Sequence, residues 1–143
     1  MRTVKDILTE KGSKVFTVNR QQKSEEALEA LVAHGIGAVV VVDDTKQVVG
    51  IFSERDFVRL TAEKKQAALA QPIHEIMTTQ VLTVHPEQTV DECMSLVTER
   101  RCRHLPVVVD GELRGLVSIG DLVKSALAEK EFLIRQLKHY ISS

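Results

Sequence analysis

Hydrophobic residues recur with different periods along the chain and predict alternating short strands and helices. Val15–Val18 alternates its faces and predicts a strand. Ser24 is a favourable N-cap for the helix that follows, and Gly35 ends that helix. Val39–Val42 is an unbroken β-branched run, which predicts a strand buried on both faces. The helix between Ser24 and Gly35 has an apolar stripe formed by Ala27, Leu28, Leu31 and Val32.

Further elements follow in the same manner. Val48–Phe52 predicts a strand, and Ser53 opens a helix that runs to about Leu60. Residues 62–71 are polar and rich in alanine, and they predict a helical linker that ends at Pro72. Residues 126–141 predict a long helix able to pack on the module or on a partner chain, with Leu127, Phe132, Ile134, Leu137 and Ile141 as its packing residues.

The whole pattern occurs twice. Val81–Val84 repeats Val15–Val18 at an offset of 66 residues, and Gly115–Asp121 repeats Gly50–Asp56 at an offset of 65. Duplication over a complete unit indicates two copies of one supersecondary structure. Because a copy of about 60 residues buries little apolar surface alone, we expect the copies to pack sheet to sheet about a pseudo-two-fold axis. The predicted fold is α/β (α+β), with repeats at residues 1–69 and 70–143 and a C-terminal helix.

Each copy closes on a glycine, two apolar residues and a Ser-x-x-Asp step. Ser53 with Asp56, and Ser118 with Asp121, would bring a hydroxyl, a carboxylate and the free amides of a helix N-terminus together. This step is also close to a capping box, in which the serine bonds an amide of the first turn. Helix caps and small-molecule sites are therefore the two interpretations of these motifs.

Composition narrows the functional classes. Lys and Arg total 19 against 20 for Asp and Glu, and aromatic residues make up 3% with no Trp. A balanced charge and few aromatics argue against nucleic-acid binding. No apolar run approaches the ~20 residues that span a bilayer, so no membrane partner is predicted. No export signal is recognisable at the first residues, and we expect a cytoplasmic protein.

The thiols and imidazoles do not predict catalysis or a metal site. Cys93 and Cys102 lack metal-ligand spacing, and the five histidines are scattered. Cys102 close to His104 is compatible with a nucleophile, but no third orienting group is visible and Cys102 matches the apolar Ile36 of the first copy. The sequence therefore favours a protein that is not an enzyme and has no catalytic cofactor.

The duplicated order resembles the cystathionine-β-synthase (CBS) domain family, in the tandem arrangement called a Bateman module and of the stand-alone bacterial type. The resemblance covers essentially the entire chain. The motifs that carry it are Gly50–Asp56, Gly115–Asp121, Ile76-Met77-Thr78 and Arg103–Val107. It implies a regulatory module that senses adenosine-containing ligands such as AMP, ATP, NAD or S-adenosylmethionine, bound as ligands in the cleft between repeats.

The family implies sites that draw on both repeats, in which the aspartate holds the ribose hydroxyls and the serine lies near the ribose or phosphate. Backbone near Pro106 would contact adenine. Carried onto this chain, one site uses Ser118, Asp121, Arg103, His104 and Pro106 with Lys14 and Phe16. The other uses Ser53, Arg55, Asp56, Gly37 and Ala38 with Thr78, Gln80 and Leu82.

Elementary chemistry agrees with these roles. A carboxylate accepts two hydrogen bonds from a cis-diol, and Arg55 offers a bidentate phosphate contact. Gly37 and Ala38 leave room for an adenine ring at the backbone. Gly120 replaces Arg55 in the second copy, so we expect two sites that differ.

The resemblance also implies a homodimer, for which the apolar faces of the helices after Ser24 and Thr89 are candidate interfaces. The alternative function is a protein-interaction adaptor without a ligand, in which both Ser-x-x-Asp steps act only as helix caps.

Overall fold

The computed structural model describes residues 1–142 as six α-helices, one 3-10 helix and five strands. The helices are α1 (Val4–Lys11), α2 (Ser24–His34), α3 (Glu54–Lys64), α4 (Ile73–Ile76), α5 (Val90–Arg100) and α6 (Ile119–Ser142). The 3-10 helix covers Lys65–Ala70. The strands are β1 (Thr17–Asn19), β2 (Ala38–Val42), β3 (Val48–Ser53), β4 (His104–Val109) and β5 (Glu112–Ser118). The predicted mixed fold with a C-terminal helix is confirmed.

The chain forms two compact units. The first-repeat unit comprises residues 14–82 and 110–114, and the second-repeat unit comprises residues 1–13, 83–109 and 115–142. Each unit therefore takes its opening segment from outside its own repeat: residues 1–13 belong with the second copy and residues 70–82 with the first. The division at residues 69 and 70 describes the duplicated sequence, and as a domain boundary it stays a prediction.

The first-repeat unit is built on a three-stranded sheet. β1 lies parallel to β2, and β3 pairs with β2 antiparallel with a register shift at Val41 and Val42. All five residues of β2 are buried, as its unbroken β-branched run predicts. The core beneath this sheet is formed by Val18, Ala27, Leu31, Val39, Val41, Phe52 and Ile73.

β4 and β5 form a two-stranded sheet, in which β4 and residues 115–118 of β5 belong to the second-repeat unit. The predicted strand Val81–Val84 is wrong as a strand, because only Val84 pairs, through one parallel bridge to Val107. Its amide donates to Pro106 O over 2.9 Å, and its carbonyl accepts from the Val108 amide at 3.0 Å. The first copy's strand begins at Thr17 rather than Val15. Alternating side chains favour extended backbone, whereas a ladder also needs a partner of matching length.

Two helix boundaries also differ from the prediction. Ser24 is the first helical residue and not the N-cap, which is Lys23. The Ser24 hydroxyl is buried and donates to the carbonyl of Ala68 in the 3-10 helix. α3 continues four residues beyond Leu60 to Lys64, and the predicted linker helix is the 3-10 segment 65–70. Ser24 therefore donates its hydroxyl hydrogen bond to a carbonyl that is distant in sequence, and the residues around Ser24 do not reveal that partner.

Each opening segment packs closely over a glycine of the final strand. Ile51 and Thr78 exchange both backbone hydrogen bonds, at 3.0 and 2.9 Å. A Cβ on the neighbouring Gly50 would lie 2.9 Å from Thr78 O and 2.5 Å from Met77 Sδ. In the second copy, a Cβ on Gly115 would lie 2.7 Å from Leu8 Cδ2. These glycines admit the opening segments to the sheets.

We predict that Gly50→Ala destabilises the protein by about 1–3 kcal/mol, the usual cost of overpacking. Gly115→Ala is the matched control and should cost less, because it meets a leucine side chain that can rotate rather than a carbonyl. Urea unfolding of both variants measures the difference. Equal losses at the two positions would contradict this account.

Candidate functional site

The Ser53–Asp56 step forms a capping box at the start of α3. The Asp56 amide donates to Ser53 Oγ at 3.3 Å, while the Ser53 amide and hydroxyl donate to Asp56 Oδ2 at 2.9 and 3.0 Å. The cap interpretation is therefore correct for the local geometry. It uses one oxygen of a buried carboxylate and leaves Oδ1 directed elsewhere.

Two sequence-distant segments adjoin the Ser53–Asp56 step, and one of them lies at Asp56 Oδ1. Thr78 Oγ1 lies 3.5 Å from Asp56 Oδ1, at the outer limit of a hydrogen bond. Ala38 pairs with Ser53 across β2 and β3, and the Glu54 amide donates to Gly37 O at 3.0 Å. The space that a Cβ on Gly37 would occupy is open to at least 4 Å. Five of the predicted residues, Gly37, Ala38, Ser53, Asp56 and Thr78, are thus neighbours.

The cation at this carboxylate is Arg59, which sequence reasoning missed. Arg59 Nη2 lies 2.7 Å from Asp56 Oδ1, and its side chain is largely exposed. The signal that would have found it is the i, i+3 spacing on a helix. Arg55 is exposed, and its predicted phosphate contact stays a prediction. Gln80 and Leu82 belong to the same unit, but within residues 1–142 neither has a recorded hydrogen bond to the Asp56 carboxylate.

The second Ser-x-x-Asp step has the same construction. The Ser118 amide donates to Asp121 Oδ2 at 2.9 Å, and the Asp121 amide donates to Ser118 Oγ at 3.1 Å. The Ile119 amide donates to Arg103 O at 3.0 Å, which repeats the bond between Glu54 and Gly37. The duplicated sequence has therefore kept a duplicated hydrogen-bond geometry, and Arg103 lies beside this step as predicted.

Lys11, the last residue of α1, is a second residue that the sequence analysis missed. Its ammonium group donates to Asp121 Oδ2 at 2.7 Å and to Leu116 O at 2.9 Å. Burial opposes ionisation of Asp121, but the hydrogen bonds from Lys11 and Ser118 outweigh it and hold the pKa of this carboxyl below its usual value. A separation of 110 residues left no local signal for this pair.

The remaining predicted residues lie in different units. His104 begins β4, and Pro106 is buried within it. Lys14 and Phe16 belong to the first-repeat unit, where the Phe16 ring stacks on His34 at 3.6 Å between centroids. Lys14 Nζ lies 5.2 Å from the Phe16 centroid. The grouping of Lys14 and Phe16 with Asp121 stays a prediction.

The cysteines have the properties of packing residues. Burial raises the pKa of Cys93 to about 11, and burial also raises the pKa of Cys102. A raised pKa opposes formation of the nucleophilic thiolate at pH 7. Residues 1–142 contain no group of three or more His, Cys, Asp or Glu side chains suited to a metal ion.

An apolar groove of about 460 Å³ lies between α2 and α3. Its lining is Leu28, Leu31, Val32, Gly35, Ile36, Glu54, Phe57 and Val58. Only Glu54 is shared with the Ser-x-x-Asp step, so the groove is separate from the predicted nucleotide contacts. Val32 and Val58 are 76% and 67% exposed. This surface includes the face of α2 predicted as an interface.

No helix within residues 1–142 combines the length and apolar character required to cross a bilayer.

The chain belongs to the CBS domain family. The family model matches residues 4–63 and 73–128, which places one CBS domain on each copy. The CBS-domain protein ATU1752 from Agrobacterium tumefaciens has a similar structure, with a TM-score of 0.82 and 44% sequence identity. The alignment covers 87% of this chain and 92% of that one. The resemblance seen in the motifs is therefore confirmed.

Two other similar structures contain adenosine compounds. CBSX2, crystallised with AMP, is 29% identical with a TM-score of 0.74, and the alignment covers 91% of this chain and 99% of that one. The CBS domain pair of MJ0100, crystallised with 5′-methylthioadenosine and S-adenosyl-L-methionine, is 28% identical with a TM-score of 0.79. That alignment covers 90% of this chain and 98% of the other.

We predict that Lys11→Met raises the pKa of Asp121, because the variant loses the ammonium that stabilises the carboxylate. A lowered folded-state pKa contributes stability above the unfolded value of about 3.9, and this stability is lost as the pH falls through the folded pKa. The variant should lack that contribution, which for a partly exposed pair is at most about 1 kcal/mol at neutral pH. NMR titration of the Asp121 carboxyl carbon measures the shift.

Lys5→Met, on an exposed position of the same helix, is the control and should leave this titration unchanged. An unaltered Asp121 pKa in Lys11→Met would mean that the ion pair does not persist in solution.

Proposed function

We propose that the chain is a regulatory module that binds an adenosine-containing nucleotide and senses its level, with Asp56 holding the ribose hydroxyls at one site. The observation that carries the proposal is the meeting of three sequence-distant segments at the Ser53–Asp56 step. The family resemblance implies ligand contact for each of three segments: Gly37 and Ala38, Ser53–Asp56, and Thr78. Thr78 lies 3.5 Å from Asp56 Oδ1, Ser53 bonds the other oxygen of the same carboxylate, and Gly37 and Ala38 adjoin the backbone of this step.

The chemistry of this arrangement suits a nucleoside. Asp56 Oδ2 is held by the cap, so the carboxylate is already oriented when a diol approaches Oδ1. Arg59 adjoins that oxygen and offers a cation for a phosphate, and Arg55 is exposed in the first turn of α3. The open backbone at Gly37 leaves space for a planar base. The AMP in CBSX2 and the adenosine compounds in MJ0100 support this ligand class.

Asp121 with Ser118, Arg103, His104, Pro106, Lys14 and Phe16 is proposed as the second site. Its cation is Lys11 rather than a residue of its own helix. A homodimer through the faces of α2 and α5, a cytoplasmic location and the absence of catalysis complete the proposal.

A protein-interaction adaptor without a ligand is the second candidate function. The apolar groove between α2 and α3 favours it, because exposed valines line a surface suited to apolar side chains of a partner. Both candidates accommodate the caps, so ligand binding decides between them.

Thermal unfolding with AMP, ATP, NAD or S-adenosylmethionine tests the ligand. A compound present at 100 times its dissociation constant should stabilise the protein by about 2.7 kcal/mol and raise the melting temperature. If none of the four shifts the midpoint at millimolar concentration, the adaptor function is favoured.

Asp56→Asn tests the assigned contact. The variant should bind roughly tenfold or more weakly at one site, because a charged acceptor of hydrogen bonds is lost. Calorimetric titration with the ligand found by melting measures the affinity and stoichiometry.

Asp6→Asn is the matched control for this variant. Asp6 closes a capping box on α1 with Thr3, with the Thr3 amide at 2.9 Å from Asp6 Oδ2, but it belongs to neither predicted site. It should lose comparable cap stability and keep full affinity. Equal effects of the two substitutions on binding would remove Asp56 from the ribose role.

A further inference from the structure

The second half of α6 is exposed on all sides. Leu122 and Ser125 are buried near its beginning, but every residue from Lys130 to Ser142 is exposed. These 13 residues extend about 20 Å at 1.5 Å per residue. A helical segment of this length is marginal in water without packing. It therefore requires a partner that covers its apolar residues in order to stay helical.

The apolar residues of this segment form a seam. Ile134, Leu137 and Ile141 follow one another at intervals of three and four residues, and Val123 and Leu127 extend the same series towards the packed half. Lys130 occupies the intervening position. Ile134 is 51% exposed and Leu137 is 61% exposed. This spacing places them on one face and is the pattern that pairs two helices side by side.

We propose that this seam is an interface with the α6 helix of a second copy of the chain, running antiparallel over residues 129–142. Ile134 of one copy then lies opposite Leu137 of the other, twice by symmetry. The overlap covers the segment 130–142 that is exposed on all sides and only one residue before it, so the packed half of α6 stays clear of the partner.

Charge favours the second copy and the antiparallel direction. In a parallel pair, Lys130 would face Lys130 of the partner across the seam, and the like charges would repel each other. In the antiparallel pair, Lys130 lies opposite Ile141 near the end of the overlap, where its ammonium group reaches water.

The flank of the seam is complementary in the same register. Glu131 of each copy lies beside Lys138 of the other, which gives two opposite-charge contacts. In a parallel pair, the side chain flanking Glu131 across the seam would be that of Ala126, five residues earlier in the partner, which carries no charge. The acidic and basic residues therefore match this chain with itself in one direction only.

Sedimentation velocity of the full chain over a concentration series tests the proposal. Ile134→Glu should weaken one self-association step by roughly 100-fold or more, because two apolar side chains leave a buried seam and two carboxylates replace them. Phe132→Glu is the matched control, since Phe132 is 53% exposed on the opposite face of the same helix. It should associate like the unmodified chain, and circular dichroism verifies that both variants fold.

Charge reversal tests the direction. Glu131→Lys should weaken association, and the double variant Glu131→Lys with Lys138→Glu should restore it, because the pair is exchanged between copies. Loss without restoration would overturn the antiparallel register.

Equal association of Ile134→Glu and Phe132→Glu, or an unmodified chain that sediments as a single copy throughout, would overturn the interface. Nucleotide binding is independent of these readouts, so failure here leaves the proposed ligand site standing.

Discussion

The candidate site depends on one carboxylate, Asp56, whose Oδ2 caps α3 while its Oδ1 lies beside Thr78 and Arg59. Asp56 Oδ2 accepts hydrogen bonds from the Ser53 amide and hydroxyl, and these bonds cap the start of α3. Because Oδ2 is held in this way, Oδ1 is fixed beside Thr78 and Arg59. Loss of such a cap costs about 1 kcal/mol. A carboxylate ordered in this way loses little further conformational freedom when a ligand arrives. The cap therefore orients the oxygen that is proposed to hold the ribose, and the two interpretations of Ser-x-x-Asp are compatible.

The same reasoning explains why the glycines and the opening segments matter. Thr78 reaches Asp56 because Ile51 and Thr78 exchange backbone hydrogen bonds, and Gly50 has no side chain to prevent that approach. Gly115 admits Leu8 and α1 to the second copy in an equivalent way. A segment from the beginning of the other repeat thus adjoins each Ser-x-x-Asp step: Thr78 at the first step and Lys11 at the second.

Much of the fold and part of the candidate site could be predicted, because the signals were local and repeated. Buried β2 follows from four consecutive valines, and the contacts of Asp56 follow from a motif that recurs after 65 residues. The prediction of Ser24 as an N-cap is wrong, because its hydroxyl donates to the carbonyl of Ala68, 44 residues away. Val81–Val84 has the alternation of a strand but pairs only at Val84. Lys11 escaped because its partner Asp121 is brought near by tertiary packing, which no short spacing encodes.

Different cations pair with the two aspartates, so displacement of the cation by a ligand would have different structural consequences at the two Ser-x-x-Asp steps. Arg59 and Asp56 lie on the same helix at i and i+3, so a ligand that displaces the guanidinium changes only a side-chain position. Lys11 belongs to α1 and also holds the carbonyl of Leu116 in β5. A ligand diol that takes the place of Lys11 on Asp121 would break the side-chain bond between α1 and α6. Because a ligand shifts a structural equilibrium only through a difference in affinity between the two states, the proposed second site is the one at which occupancy would be transmitted to another element.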